Sequence, residues 1–348
     1  MSAFFDSIVQ GLDKAYGVCP ADDVELRALK MIVFSDHHRG QRDGADDFHR
    51  CRSAYNSALA YYHALGFTLT LLGDVEELWE CRPGPVLRAC EDTLLIEKRF
   101  TDAGRYYRVC GNHDDYWEKP SAVERCLRPF IGSSEVLPAI RLRILNNGRQ
   151  LGELFLTHGH QGTTESDRYA LVSKFMVRNV WRNIQRLTRI PSTTSAKDFK
   201  LRQQHELAMH RWAAAHPKLV MIAGHTHHPV FSSKSHEELV KAQIDELRGM
   251  LRDDIPGERR AEIEVNIAEL SAAREWILAA SDGVASAFDE IAKPCYFNAG
   301  CCSFADGDVT GIEIEGNIMR LVRWPDDTGS PKRKILAEAD LVKVFDDC

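Results

Sequence analysis

The sequence predicts an α/β protein made of two sheets packed face to face, with helices outside. Three observations lead there. From Leu29 to Val220, short apolar runs alternate with helix-like stretches, as strands joined by helices do. Beyond residue 294 the strands follow one another in hairpin-like succession, which calls for a second, largely antiparallel layer. The 348 residues suffice to bury such a core, and 44% apolar with 27% charged residues is ordinary for a globular chain.

Each element has its own reason. Ser2 to Ala15 reads as an amphipathic helix carrying Phe4, Phe5, Ile8, Val9 and Leu12, within an N-terminal helical extension over 1–27. It lacks the basic segment and apolar run of a secretory signal, and no stretch approaches bilayer length, so cytoplasmic residence is the expectation. Met31-Ile32-Val33-Phe34 is a short β-branched run, followed by a helical stretch near Asp47 to Leu65. Phe67 to Leu72, Arg105 to Cys110, Leu151 to Thr157 and Leu219 to Ala223 are further apolar runs of strand length, as buried strands are. Cys295 to Ala299, Val309 to Ile314 and Ile318 to Trp324 complete the set, the last two joined by the turn Glu315-Gly316-Asn317.

Two helical insertions interrupt the domain spanning 28–348. One is a cap over 163–216, split at Pro191-Ser192-Thr193-Thr194. The other is a hairpin over 232–293, with Leu239, Ile244, Leu247 and Leu251 on one arm and Ile263, Ile267 and Leu270 on the other. The ten cysteines are scattered without a CxxC pair, which fits free thiols in a reducing compartment. The net charge of −7 speaks against a protein that wraps a polyanion with its whole surface.

Five apolar runs end in polar clusters: Ser35-Asp36-His37-His38, Gly73-Asp74, Gly111-Asn112-His113-Asp114, His158-Gly159-His160 and Gly224-His225-Thr226-His227. Each cluster alone reads as an ordinary turn or helix cap. Together, in order, at strand ends, they read as a metal site, because loops beyond the carboxyl ends of parallel strands converge. Asp36, His38, Asp74, Asn112, His158, His225 and His227 are the candidate ligands, and two cations are expected. Carboxylate, imidazole and amide oxygen suit manganese, iron, zinc or cobalt alike, and manganese is the first expectation. His113 is expected to stabilise developing negative charge or protonate a leaving group, with Asp114 orienting it and keeping it protonated. Arg39 and His160, with His37 and His228, flank the ligands, and Arg39 and His160 are candidates for substrate contact.

These blocks, in this order, resemble the calcineurin-like metallophosphoesterases over roughly residues 30–325, the two insertions excepted. The resemblance implies a four-layer α/β/β/α sandwich. It implies one metal on Asp36, His38 and His227, a second on Asn112, His158 and His225, and Asp74 between them. It implies hydrolysis of a phosphoester or pyrophosphate by hydroxide held between the two cations. Within that superfamily, Gly73-Asp74 followed by Glu77 and Trp79, Gly224-His225-Thr226-His227-His228-Pro229, and a cap after the His-Gly block are similar to the UDP-2,3-diacylglucosamine diphosphatases.

The insertions bear on the partner. Lys174, Arg178, Arg182 and Arg186 recur every four residues on one helix face. Residues 168–202 hold nine Lys or Arg and one Asp, whereas 232–293 hold eight basic and fourteen acidic residues, so the cap is the anion-attracting part. The expected substrate is a small or lipid-linked phosphate-bearing anion such as a UDP-diacylglucosamine-like molecule, met with or without contact to the inner membrane surface. A nucleic-acid phosphodiesterase is the competing enzyme reading. A partner-binding protein with a vestigial site is the reading from another class. Self-association through the hairpin stripes stays open.

Overall fold

The computed structural model describes residues 3–43, 46–132, 135–162, 195–227, 229–231, 236–251, 259–261, 263–268, 270–271, 293–304, 307–325 and 329–348. It is an α/β structure with two mixed sheets of six strands each. The elements are α1 (Ala3–Val18), β1 (Ala21–Glu25), β2 (Lys30–Phe34), α2 (Phe48–Ala64), β3 (Thr68–Leu72), α3 (Pro83–Ala89), α4 (Glu91–Asp102) and β4 (Tyr106–Val109). Short turns α5 (Pro120–Ala122) and α6 (Arg128–Ile131) flank one π-helical turn. Then come β5 (Ile140–Asn146), β6 (Arg149–Leu156), α7 (Ser195–Ala214), β7 (Leu219–Ala223), β8 (Val230–Phe231) and α8 (His236–Met250). The chain ends with β9 (Tyr296–Asn298), β10 (Val309–Glu315), β11 (Ile318–Trp324), β12 (Lys334–Asp340) and α9 (Leu341–Asp347).

The strand orders are β1-β5-β6-β7-β9-β8 and β12-β11-β10-β2-β3-β4. Side-chain alternation puts a different cluster on each face. In β2, Met31 and Val33 face the other sheet, whereas Ile32 and Phe34 face α2 through Tyr55, Leu59 and Tyr62. In β7, Val220 and Ile222 face inward, and Leu219, Met221 and Ala223 face Ile8, Leu12, Met209 and Trp212 of α1 and α7. Helix, sheet, sheet and helix thus form four layers, the buried interior lying between the sheets. Strands β2, β3 and β4 run parallel, as do β6, β7 and β9, so their carboxyl ends gather along one edge.

Four strands do not show in the sequence, the shortest being the two-residue β8, which pairs antiparallel with β9. Strand β1 lies inside the 1–27 range read as helical, and pairs with β5 at the sheet edge. Strand β5 alternates Ile140, Leu142 and Ile144 inward with Arg141 and Arg143 between them, and Asn147-Gly148 turns it into β6. Strand β12 is a half-exposed edge carrying a bulge opposite Leu321 and Val322. Of the expected cap, 195–214 is a helix whose buried face belongs to the core, and 163–194 lies outside the described residues. Residues Ser232–Pro294 form a unit of their own, in which Ile244 packs on Ile267 and Leu270. None of the ten cysteines is in a disulfide. Among the described residues, no helix is long and apolar enough to cross a membrane.

Candidate metal centre

All seven candidate ligands stand within three residues of a strand's carboxyl end or in the same tight loop. Their backbone is unusual. Eight described non-glycine residues have positive φ, and five of them are Asp36 (54°), His38 (48°), Asp74 (49°), His225 (68°) and His227 (57°). Left-handed backbone at a side-chain-bearing residue costs about 1–3 kcal/mol, and persists where surrounding packing dictates it. Here the packed strand ends dictate it. Gly224 shows how close the loops come: a Cβ there would stand 2.5 Å from Asp36 Oδ2.

The carboxylates divide their oxygens in the same way. Asp36 Oδ2 accepts from the His225 N–H at 2.8 Å. Its Oδ1 is buried without a hydrogen-bond partner, 3.3 Å from His227 Nε2 and 3.9 Å from His38 Nε2. Asp74 Oδ1 accepts from the His113 N–H at 2.8 Å, while Oδ2 lies 3.2 Å from His158 Nε2 and 3.8 Å from His38 Nε2. One oxygen of Asp74 therefore faces an imidazole from each predicted ligand set.

The imidazoles are oriented from behind. His158 Nδ1 donates to the Leu72 carbonyl at 2.6 Å, which leaves Nε2 toward Asp74 and, at 3.2 Å, Asn112 Oδ1. His38 Nδ1 is held by Glu77 at 2.9 Å, which leaves Nε2 facing His227 Nε2 at 3.0 Å. Such Nδ1 contacts fix the tautomer that presents Nε2 to a metal. Asp36, His38 and His227 place ligand atoms within 4.8 Å of one another, as do Asp74, His158 and His225, and as do His38, Glu77 and His113.

Charge follows the geometry. Burial opposes ionisation of Asp36 and Asp74, yet His227 on the first and His158 on the second hold both carboxyls low, Asp74 well below the usual range. Burial likewise opposes a charge on His158, and Asp74 outweighs it, pushing the ring up to about 9. Burial and His158 keep His225 neutral. Two anions drawing protons onto two imidazoles form a donor set that suits a pair of divalent cations, which would take the place of those protons. The residues fit the group.

His113 sits beside this cluster. Glu77 holds its Nδ1 at 2.7 Å, and the Trp79 indole stacks on it at 4.2 Å while donating Nε1–H to the Asn112 carbonyl. Burial would lower its pKa, but Glu77 and Asp74 push it up to about 9. Glu77 is in turn held to about 2, against burial, chiefly by His113.

Several expectations need correction. Asp114 does not orient His113. Its oxygens accept from the N–H groups of Gly111 (2.7 Å) and Val75 (3.1 Å), with Arg108 Nη2 at 3.3 Å. Burial raises it to about 6, against Arg108. It ties the Asp74 and Asn112 loops together, and Glu77 does the orienting. Arg39 does not face the site. Its fully buried guanidinium pairs with Glu97, lies 3.7 Å from Glu76 and covers Phe48 and Tyr55. His37 turns the same way, 4.6 Å from the Tyr55 ring. His160 does lie beside the site, its ring 5.3 Å from His158, and burial lowers it to about 3. Lys174, Arg178, Arg182 and His228 lie outside the described residues.

No family model matches the chain, and no curated protein matches it.

Proposed function

We propose that this chain is a dinuclear-metal-dependent hydrolase of phosphoester or pyrophosphate bonds, of the calcineurin-like kind its motifs resemble. One cation would sit on Asp36, His38 and His227, and the other on Asn112, His158 and His225, with Asp74 common to both. Two such cations supply Lewis-acid polarisation of a phosphoryl group and hydroxide near neutral pH. The observation that supports this best is the Asp74 carboxylate, one oxygen of which faces His38 at 3.8 Å and His158 at 3.2 Å.

The chain's own share of the chemistry rests on His113. With a pKa of about 9 it carries a proton at neutral pH. Its Nδ1 is engaged by Glu77, so Nε2 is the nitrogen available to donate. A proton given from Nε2 to the departing oxygen, or a hydrogen bond to a phosphoryl oxygen, lowers the barrier. Trp79 fixes the ring plane, which saves the entropy of orienting it. The substrate is a small or lipid-linked phosphate anion, in keeping with the basic run over 168–202.

The test is a manganese-loaded panel of an aryl phosphomonoester, an aryl phosphodiester, a UDP-linked glycolipid and single-stranded DNA. Turnover of the diester or the glycolipid above that of DNA is expected. His113→Ala should lose about 10²–10⁴-fold in turnover while keeping its metal. DNA as the preferred substrate would make the chain a nuclease. Bound metal with no turnover on the whole panel would leave only the partner-binding reading.

A further inference from the structure

Two of the ligand loops are gripped from behind by helices that contribute no ligand. Helix α1 holds the far end of the His158 loop. Ser7 Oγ donates to the Gly162 carbonyl at 2.6 Å. Gly11 lies flat on the same backbone, where a Cβ would stand 2.5 Å from Gly162 N and 2.7 Å from Gln161 C. Helix α7 holds the near end, since His205 Nε2 donates to the Gly159 carbonyl at 2.5 Å.

The next residue of α7 reaches the second loop. Thr226, between His225 and His227, donates Oγ1–H to Glu206 Oε1 at 2.8 Å and accepts from Asn298 Nδ2 at 3.1 Å. That amide also donates to the Gly224 carbonyl at 2.7 Å. Glu206, Thr226 and Asn298 are buried, so these bonds form without competition from water. The helices are fastened to each other as well. Trp212 Nε1 donates to Asp13 Oδ1 at 2.7 Å over a shared core of Ile8, Leu12 and Met209.

We infer that α1 and α7 form a clamp that fixes the His158 and His225–His227 loops, so that a first helix bearing no ligand sets the affinity for the cations. The inference rests on the dinuclear reading above. The left-handed backbone at His225 and His227 needs an outside restraint to persist, and the Thr226 network supplies one. Ser7, Gly11, His205, Glu206 and Thr226 act as positioning residues, since none touches a substrate in this account.

Mn²⁺ binding to the full chain, read by calorimetry and by the Mn²⁺ paramagnetic resonance spectrum, tests it. Gly11→Ala forces a methyl group into the Gly162 backbone. Gly17→Ala adds the same methyl to the same helix, where nothing lies within 4 Å. Thr226→Val removes the hydroxyl, and Thr226→Ser retains it. Gly11→Ala and Thr226→Val should each weaken Mn²⁺ binding on the order of tenfold and alter the spectrum. Gly17→Ala and Thr226→Ser should match the parent chain. If Gly11→Ala fails to fold, the Thr226 pair decides. Folded Thr226→Val that binds Mn²⁺ as tightly as the parent overturns the clamp alone. A parent chain that binds no Mn²⁺ overturns the dinuclear reading and the clamp with it.

Discussion

The Asp36–His38–His227 and Asp74–His158–His225 clusters are built from the same residue types and differ in their access to water. Asp74 and His158 have side chains 2% and 0% exposed, and His225 is half-buried. In the other triad Asp36 is fully buried, His38 is 11% exposed and His227 is 41% exposed. Composition alone therefore does not set how exposed such a cluster is; the depth of the strand ends does. Electrostatic attraction strengthens where water is excluded, so the buried triad should grip its cation harder and release it more slowly.

The most severe disturbance is one that erases the distinction. Asp74→Asn removes the carboxylate facing both triads, and turnover of an aryl phosphodiester should fall by more than about 10³-fold. Metal analysis should find both cations diminished. Loss of one alone would assign Asp74 to a single triad. Next comes a direct contest between the triads. A chelator added to the loaded protein should remove metal in two phases, with the fast phase missing in His227→Ala and the slow phase missing in His225→Ala. A single phase in the parent chain would show that the two clusters hold metal alike.

Glu77 sharpens the contrast, because it touches His38 and His113 and no ligand of the buried triad. In the parent chain turnover should decline as pH rises through about 9, where His113 gives up its proton. Glu77→Gln removes the main charge that raises this pKa, so the decline should begin nearer the ordinary imidazole value of 6.5. The slow phase of metal release should stay as it was. An alkaline limb that does not move would separate Glu77 from proton transfer.

The smallest effect lies away from both triads. Asp340 caps α9 by accepting from Val342 N at 2.9 Å and Lys343 N at 3.2 Å. Those bonds and the Asn317 amide outweigh burial and hold its carboxyl below the usual value. The folded value is depressed, so the contribution is full above the ordinary carboxylate range and disappears as pH falls through the folded value. Asp340→Ala should cost about 1 kcal/mol near neutral pH in a denaturant titration. The two proteins should converge at low pH, with metal release untouched at neutral pH.

Much of this was legible because buried parallel strands announce themselves as short apolar runs, and the runs of β2, β3, β4, β6 and β7 each stop at a candidate ligand. Edge strands announce themselves poorly. Strand β12 is half exposed and β1 carries Asp22 and Asp23, so neither shows an apolar run, although the Ile140–Ile144 alternation before Asn147-Gly148 was a usable sign of β5. Choosing among neighbouring polar residues was the harder task. Glu76 and Glu77 are adjacent acids, yet Glu76 turns inward to Arg108 and Trp117 while Glu77 turns to the histidines. Arg39 has the chemistry to bind phosphate, but Glu97, 58 residues away in sequence, captures it in the interior. Partners that far apart leave no local trace.

The left-handed backbone at Asp36, His38, Asp74, His225 and His227 sets survival and usefulness against each other. Glycine at any of these positions would relax the chain and discard a candidate ligand in one step. Laboratory evolution guided by heat resistance alone would therefore reward silent descendants, and only a screen that also demands turnover would keep the ancestral residues.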